Sequence, residues 1–94
     1  MTYCTVVEFE WADAAARSTF EAFAGRDEAA SVEGRLVRVV GIDDAGARAI
    51  EVWATPDDAR RFAESTAPGM AGANLPAPSR VFGFEVDHLD VAAG

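Results

Sequence analysis

The sequence has no lysine, and its eight arginines face sixteen acidic residues, which gives a net charge of −8. A chain this acidic would be repelled by a phosphate backbone, so no nucleic acid is expected as a partner. No apolar run approaches the ~20 residues that span a bilayer, and the first residues lack a basic stretch followed by an apolar one. The sequence therefore predicts a cytoplasmic protein with no membrane partner.

Cysteine and histidine each occur once, as Cys4 and His88. One cysteine excludes an internal disulfide, and one histidine among scattered carboxylates shows no metal-ligand spacing. Free cysteine is usually buried, so Cys4 is expected to be a small apolar side chain on a strand. No glycine-rich loop joins a strand to a helix, so no phosphate site is expected. Neither a metal nor a cofactor is predicted.

The sequence does contain a globular balance of 50% hydrophobic and 26% charged residues. Its 94 residues suit one domain, residues 1–94. A chain of this size buries only ~60–65% of its unfolded surface. A core this thin predicts self-association.

Apolar alternation and turn residues predict four strands and two helices. The strands are predicted at Tyr3 to Glu10, Leu36 to Ile42, Ala47 to Trp53 and Val81 to His88, and the helices at Ala14 to Ala24 and from Pro56 to Ser65 or Thr66. Gly25 and the pair Pro68-Gly69 are predicted to end the helices. Residues 43–46 are predicted to form a tight turn in which Gly46 can take a positive φ.

The helix starts carry capping residues. Asp13 is predicted to cap the first helix and Thr55 the second, where Asp57 and Asp58 suit the positive end of the helix dipole. The buried stripes are predicted to contain Ala16, Phe20, Phe23 and Ala24 in the first helix and Ala59, Phe62 and Ala63 in the second. Apolar residues occur on both faces of the first two strands, so the sheet is predicted to be covered on both sides.

The element order β-α-β-β-α-β predicts the fold class, an α+β ferredoxin-like sandwich. In this arrangement both helices pack on one face of a four-stranded antiparallel sheet. The other apolar face must then be covered, and the same sheet of a second copy is the simplest cover. The predicted assembly is a homodimer.

The segment from Glu51 to Phe62, EVWATPDDARRF, resembles the strand-to-helix passage of the dimeric α/β-barrel superfamily, in particular its antibiotic-biosynthesis-monooxygenase-like branch. The segments Val6 to Trp11 and Val81 to Val86 are similar to small members of that superfamily. The resemblance implies a homodimeric barrel with an apolar pocket between sheet and helices in each subunit. It also implies that the protein binds a hydrophobic, aromatic or polyketide-like molecule.

Three activities are compatible with that resemblance: cofactor-free monooxygenation, a polyketide cyclase or isomerase reaction, and ligand binding by a non-catalytic dimerisation module. The haem-degrading members have an Asn on the first strand and a His just after the second helix. The first strand here has no Asn, and residues 65–75 contain no His. Haem degradation is therefore not expected.

The expected strand order brings the start of the first strand level with the ends of the third and fourth. His88 is predicted as a general base, because histidine can exchange a proton near neutral pH, and Tyr3 as a hydrogen-bond donor to a ligand carbonyl. The predicted substrate-binding side chains are Trp53, Thr5, Phe20, Phe62 and Phe84. Three of these predicted site residues have a purely structural alternative: His88 as a solvated imidazole, Tyr3 as part of a frayed chain end and Trp53 as a core anchor.

Three glutamates, Glu8, Glu51 and Glu85, fall on strands and are predicted to share one face. Close carboxylates raise one another's pKa, which would create a general acid or a cation site. Arginines on the same strands offer the alternative of ion pairing: Arg35, Arg38, Arg48 and Arg80. Ion pairing is the favoured interpretation.

Overall fold

The fold is taken from a computed structural model that describes residues 1–11, 13–28, 32–72 and 77–91, with side chains described for all of these except 23–28 and 69–71. The six elements are β1 (Tyr3–Glu10), α1 (Ala14–Glu28), β2 (Arg35–Ile42), β3 (Gly46–Trp53), α2 (Pro56–Gly72) and β4 (Arg80–Glu85). The predicted element order and fold class are confirmed. Neither α1 nor α2 is long and apolar enough to cross a membrane.

The four strands form one antiparallel sheet in the order β2-β3-β1-β4. The central strand β1 pairs along its full length with β3, where Tyr3 lies opposite Trp53 and Phe9 opposite Ala47. On its other side β1 pairs with β4, where Tyr3 lies opposite Glu85. The predicted central position of β1 is therefore correct, and the start of β1 does lie level with the ends of β3 and β4.

Both helices pack on the same face of the sheet. Phe9 of β1 lies 5.1 Å, between ring centroids, from Phe20 of α1, and Trp53 of β3 lies 5.1 Å from Phe62 of α2. Phe9 and Trp53 share one face because side chains alternate along paired strands. We call this side the helix face; it carries Tyr3, Thr5, Val7, Phe9, Glu51 and Trp53. We call the other side the open face; it carries Cys4, Val6, Val39, Ile50, Val52, Phe82 and Phe84.

The predicted N-caps are confirmed. The amide of Ala16 donates to Asp13 Oδ1 at 2.8 Å, and the amide of Asp58 donates to Thr55 Oγ1 at 3.2 Å. These bonds satisfy amides that have no intrahelical acceptor. Ala16, Phe20, Ala59 and Phe62 are at least partly buried as predicted, whereas Ala63 is exposed. The predicted burial of Phe23 and Ala24 lies outside the described side chains.

The predicted helix ends are wrong. α1 continues past Gly25 to Glu28, and α2 continues through Pro68 to Gly72. A glycine inside a helix costs only about 1 kcal/mol and a proline about 3 kcal/mol, and contacts elsewhere in the fold can offset costs of this size. β4 ends at Glu85 rather than His88. Residues 73–76 lie outside the described range.

The β2–β3 turn depends on Asp43, whose Oδ1 accepts from the amides of Gly46 at 2.9 Å and Ala45 at 2.8 Å. These two backbone bonds, that from Gly46 first, lower the pKa of Asp43. The prediction that Gly46 takes a positive φ is not met, because Gly34 is the described glycine with that conformation. Glycine is required at 46 for another reason: a Cβ there would overlap the carbonyl oxygen of Phe9.

The open face is apolar and partly uncovered. Its central side chains Cys4, Val6 and Val52 are buried, but Val39 is 54%, Phe82 37% and Phe84 49% exposed. The prediction that β2 is buried on both faces is therefore wrong for the single chain. The helices cover only one side of the sheet, so the outer part of the opposite side remains in contact with solvent.

Candidate functional site

The indole of Trp53 is the centre of the helix face near the end of β3. Its side chain is 1% exposed, and its Nε1–H donates to Thr5 Oγ1 at 3.1 Å. A hydroxyl has one donor and two acceptor positions, so Thr5, which accepts from Trp53, can still donate its own hydrogen to another group. The structure therefore brings together two of the predicted substrate-binding residues.

Phe62 completes an aromatic pair with Trp53, at an interplanar angle of 41°. It reaches the sheet from α2, whose capped first turn fixes the position of the helix. Phe20, also predicted to bind substrate, lies in a separate cluster with Phe9, Ala47 and Trp11 under α1. The predicted aromatic set is thus divided between two groups on the same face.

Tyr3 lies beside Trp53 in the sheet and places its ring across β4. A Cβ on Gly83 would overlap the Tyr3 hydroxyl and ring edge, so the absence of a side chain at 83 makes room for the phenol. Tyr3 is half-buried, and no protein partner for its hydroxyl is found in the part of the chain that the structure describes. The hydroxyl of Tyr3 is accordingly available to a ligand.

A buried ion pair lies next to Trp53: Arg35 is opposite Trp53 in the sheet, and Glu51 precedes Trp53 by two residues on β3. Arg35 Nη1 donates to Glu51 Oε2 at 3.0 Å, and the two side chains are 9% and 8% exposed. The Arg35 guanidinium carbon also stands 5.5 Å from the ring centroid of Phe62. Arginine binds well at such positions because its planar group combines stacking with directional donation. Arg35 and Glu51 were predicted as possible ion partners, but neither was predicted to bind substrate.

The predicted carboxylate cluster is wrong. Glu8 lies opposite Arg48 on the open face, whereas Glu51 and Glu85 lie opposite Thr5 and Tyr3 on the helix face. The alternation of side chains therefore separates Glu8 from the others. The favoured prediction, ion pairing with arginine, is confirmed for two of the three glutamates, since Glu8 pairs with Arg48 at 3.0 Å and Glu51 pairs with Arg35.

Asp58, at the start of α2, contacts residues on both sides of it: Thr55 and Arg61 by hydrogen bonds, and Gly34, which precedes β2, by close packing. The Thr55 hydroxyl donates to Asp58 Oδ2 at 2.9 Å, and Arg61 pairs with the other carboxylate oxygen. The Thr55 hydroxyl first, and Arg61 with it, lower the pKa of the buried Asp58. Gly34, at φ 81°, lies against this carboxylate, where a Cβ would overlap it. These contacts place Arg35 under α2.

Two predicted site residues lie elsewhere. His88 is beyond the end of β4, and its side chain is 88% exposed with Nε2 3.5 Å from Asp87 Oδ2. Phe84 lies opposite Cys4 in the sheet, which puts it on the open face rather than beside Trp53. The catalytic role of His88 stays a prediction.

Cys4 is buried, as expected, at 5% exposure, and burial raises the pKa of its thiol. A protonated buried thiol is a poor nucleophile. No group of three or more His, Cys, Asp or Glu side chains that could hold a metal ion occurs among the described residues.

A groove of about 470 Å³ lies at the β2–β3 turn end of the sheet. Residues of the open face line much of it, including Glu8, Val39, Arg48 and Ile50. It also reaches Ser79, which donates from its amide and its hydroxyl to the carbonyl of Glu8. The groove is separate from the Trp53 and Phe62 pair at the opposite strand ends.

Solved structures share this fold. The chain superposes on a protein assigned as an antibiotic biosynthesis monooxygenase from Chloroflexus aurantiacus with a TM-score of 0.74 at 15% identity, covering 97% of this chain and 98% of that one. SnoaB, a cofactor-independent oxygenase from Streptomyces nogalater, gives a TM-score of 0.58 at 20% identity over 94% of this chain and 93% of that one. The heme-degrader MhuD from Mycobacterium tuberculosis gives 0.56 at 18% identity over 98% and 100%.

No protein-family model matches the sequence, and no curated protein matches it either. Identities this low relate the folds and leave the activities open. The structural similarity that the sequence predicted is confirmed: the chain has the ferredoxin-like fold of the antibiotic-biosynthesis-monooxygenase structures.

Proposed function

We propose that the protein binds a hydrophobic, aromatic or polyketide-like molecule on the helix face beside Trp53, and oxygenates it without a cofactor. The observation that carries this proposal is the convergence of Tyr3, Thr5, Trp53 and Phe62 at one end of that face. Aromatic side chains supply apolar area, and the two hydroxyls supply a small number of directed polar contacts. This combination is typical of small-molecule sites. The shared fold of SnoaB, a cofactor-independent oxygenase, supports the activity.

The chemistry requires little from the protein. A substrate such as anthrone loses a proton to give an enolate, which reduces O₂ directly, and the carbon and oxygen then combine. The methylene carbon becomes a carbonyl, one oxygen atom enters it and the other leaves as water, so the substrate itself supplies the electrons. A water-poor site that holds the anion favours the step. Tyr3 is proposed to donate a hydrogen bond to the developing oxyanion, and Thr5 to position the ring system.

The test is O₂ uptake with anthrone, measured against buffer and against heat-denatured protein. Tyr3→Phe keeps the ring over Gly83 and removes the donor, so the rate is expected to fall by on the order of 10²–10³-fold. His88→Ala tests the predicted base, whose loss would cost ~10²-fold or more, with the neighbouring Leu89→Ala as its control. O₂ uptake that never exceeds the buffer rate would overturn the proposed oxygenation.

A non-catalytic binding module is the second candidate, and the burial of Trp53 favours it. An indole that is 1% exposed and fully hydrogen-bonded acts first as a core anchor. This candidate predicts that aromatic ligands bind while O₂ uptake stays at the buffer rate. Under it, Tyr3→Phe changes the dissociation constant alone. A cyclase or isomerase reaction would instead convert a polyketide substrate without consuming O₂.

The homodimer is proposed to form through the open face. Val39, Phe82 and Phe84 are partly exposed side chains on one surface, and contiguous apolar patches on small proteins commonly mark interfaces. A second copy would cover the same residues by two-fold symmetry. A sheet covered in this way has the enlarged core that 94 residues alone do not provide.

Size-exclusion chromatography with light scattering tests the homodimer. Val39→Asp places a charge on the β2 side of the proposed interface and is expected to give a monomer. Val81→Asp is the matched control, because Val81 is 63% exposed but belongs to the helix face, opposite Val7. Wild-type protein that stays monomeric at micromolar concentration would contradict the proposed assembly.

A further inference from the structure

Arg35 has the least exposed side chain among the arginines in the described ion pairs, where Arg17 is the next at 37%. The side chains of Arg48, Arg60 and Arg61 are 61%, 66% and 62% exposed, as expected for a charged group at the surface. The side chain of Arg35 is 9% exposed and lies on the helix face beside Trp53. Burying a guanidinium is costly unless its donors find acceptors, so this position needs an explanation.

The donors of Arg35 are only partly used by the protein. Nη1 bonds to Glu51, and the guanidinium stacks over Phe62. A guanidinium has five N–H donors, and the described residues offer no acceptor to Nε or Nη2. Donors without a protein partner commonly bond to water or to a ligand. Their neighbours here are the aromatic rings of the proposed binding site.

A β-bulge places a second arginine on the same face. Arg35 lies opposite Trp53 and Val37 lies opposite Val52, so the register shifts by one residue at Leu36. Without the shift, residues 35 and 38 would point to opposite faces; with it, Arg38 lies opposite Glu51 on the helix face. Two arginines therefore flank one glutamate. Arg38 and Glu51 have other interaction partners as well.

Arg35 places a positive charge beside the proposed site although the whole chain is acidic. Surface charges further away are screened over about 8–10 Å in physiological salt, whereas a contact in a buried site is screened much less. The net charge of −8 therefore does not prevent an anionic oxygen from binding next to Arg35.

We propose that Arg35 binds the ionised oxygen of the ligand, a phenolate or enolate, through Nε and Nη2, and that the site thereby prefers acidic hydroxylated aromatics over their neutral ethers. This inference rests on the proposed function and specifies its substrate class. Charge-assisted hydrogen bonds to a guanidinium are short and strong, and a stacked ring keeps the guanidinium plane in place. Arg35 is a binding and specificity residue, distinct from the donor role proposed for Tyr3.

The test uses two probes of nearly the same shape, 2-hydroxy-1,4-naphthoquinone, which is ionised at neutral pH, and 2-methoxy-1,4-naphthoquinone, which is neutral. Isothermal titration calorimetry at pH 7.5 measures both dissociation constants. The wild-type protein is expected to bind the anion about tenfold or more tightly than the ether, the range of a charge-assisted hydrogen bond.

Removing Arg35 alone would leave Glu51 buried without its ion partner, and such a variant can fail to fold. The informative variant is therefore Arg35→Gln with Glu51→Gln, which removes both charges and keeps similar shapes. Its matched control is Arg48→Gln with Glu8→Gln, the equivalent pair on the open face. Circular dichroism establishes that each variant is folded. Arg35→Lys keeps the charge without the forked geometry and is expected to retain part of the preference.

The expected result is a preference for the anion in the wild-type protein and in the open-face control, and a clearly smaller preference in the Arg35 and Glu51 variant, which still carries the positive charge of Arg38. A preference of undiminished size in that variant would overturn the role of Arg35. Equal affinities in the wild-type protein would overturn the inference and leave the proposed aromatic site intact. If neither probe binds, the proposed function itself is contradicted.

Discussion

The hydrogen bond between Trp53 and Thr5 joins the two central strands beneath α2, and its removal tests whether this end of the helix face is as tightly built as the structure shows. Thr5→Val replaces the hydroxyl by a methyl group of nearly equal size. The donor–acceptor distance is 3.1 Å, within the normal range, and Trp53 is 1% exposed. No water can therefore take over as acceptor once the hydroxyl is gone.

The expected cost follows from that burial. Leaving a buried donor unsatisfied costs ~1–3 kcal/mol, whereas replacing both partners by apolar groups is nearly neutral for the bond itself. For a domain of 60–100 residues, 1 kcal/mol corresponds to ~4–8 °C in Tm, so Thr5→Val should lower Tm by at least about 4 °C. Thr5→Ser retains the acceptor and loses one buried methyl group, which costs about 0.8 kcal/mol.

A double-mutant cycle with Trp53→Phe isolates the bond. The two single variants and the double variant are compared by urea unfolding followed by far-UV circular dichroism, at one fixed protein concentration because self-association would shift the midpoint. A coupling energy of about 1 kcal/mol is expected. Independent substitutions add to within about 0.3 kcal/mol, so a coupling energy below that value would show that the bond does not stabilise the folded protein.

Two further predictions concern the start of α2. The pKa of Asp58 is lowered in the folded protein, so its ionised form stabilises the fold above pH ~4, and this contribution is lost as pH falls through the lowered pKa. Asp58→Asn should therefore be less stable than wild type at pH 7, with a difference that shrinks below pH ~4. The control Asp57→Asn changes an exposed carboxylate and should show little difference in stability at either pH. Gly34→Ala should destabilise by at least about 1 kcal/mol, because the residue has φ 81° and its new Cβ would overlap the Asp58 carboxyl group. Gly41→Ala, where nothing lies within 4 Å, should stay within about 0.5 kcal/mol of wild type in the same urea titration. A pH-independent effect of Asp58→Asn, or equal effects of the two glycine variants, would contradict these assignments.

Local chemistry explains why the fold could be predicted from the sequence. The strand β1 is rich in β-branched and aromatic residues, Asp13 and Thr55 are preferred capping residues, and the turn contains Asp43, whose side chain bonds two amides within three residues. Each of these signals acts over a few residues and needs no tertiary context. Helix ends were predicted less well, because Gly25 and Pro68 weaken a helix by amounts that packing elsewhere can offset.

Predicting which side chains surround Trp53 requires the pairing register of β2 and β3 as well as the sequence pattern of apolar and polar residues. Regular alternation along β2 would place Arg35 and Arg38 on opposite faces. The predicted two-sided burial of that strand followed instead from its nearly continuous apolar residues. The bulge at Leu36 changes the parity, exposes Leu36 at 54% and aligns both arginines toward Glu51. A bulge of this kind has no sequence signature, since the residue is an ordinary leucine, and it is recognised only from pairing with β3. The charged part of the site therefore depends on strand register, while its aromatic part depends on side chains that the sequence already placed at the strand end.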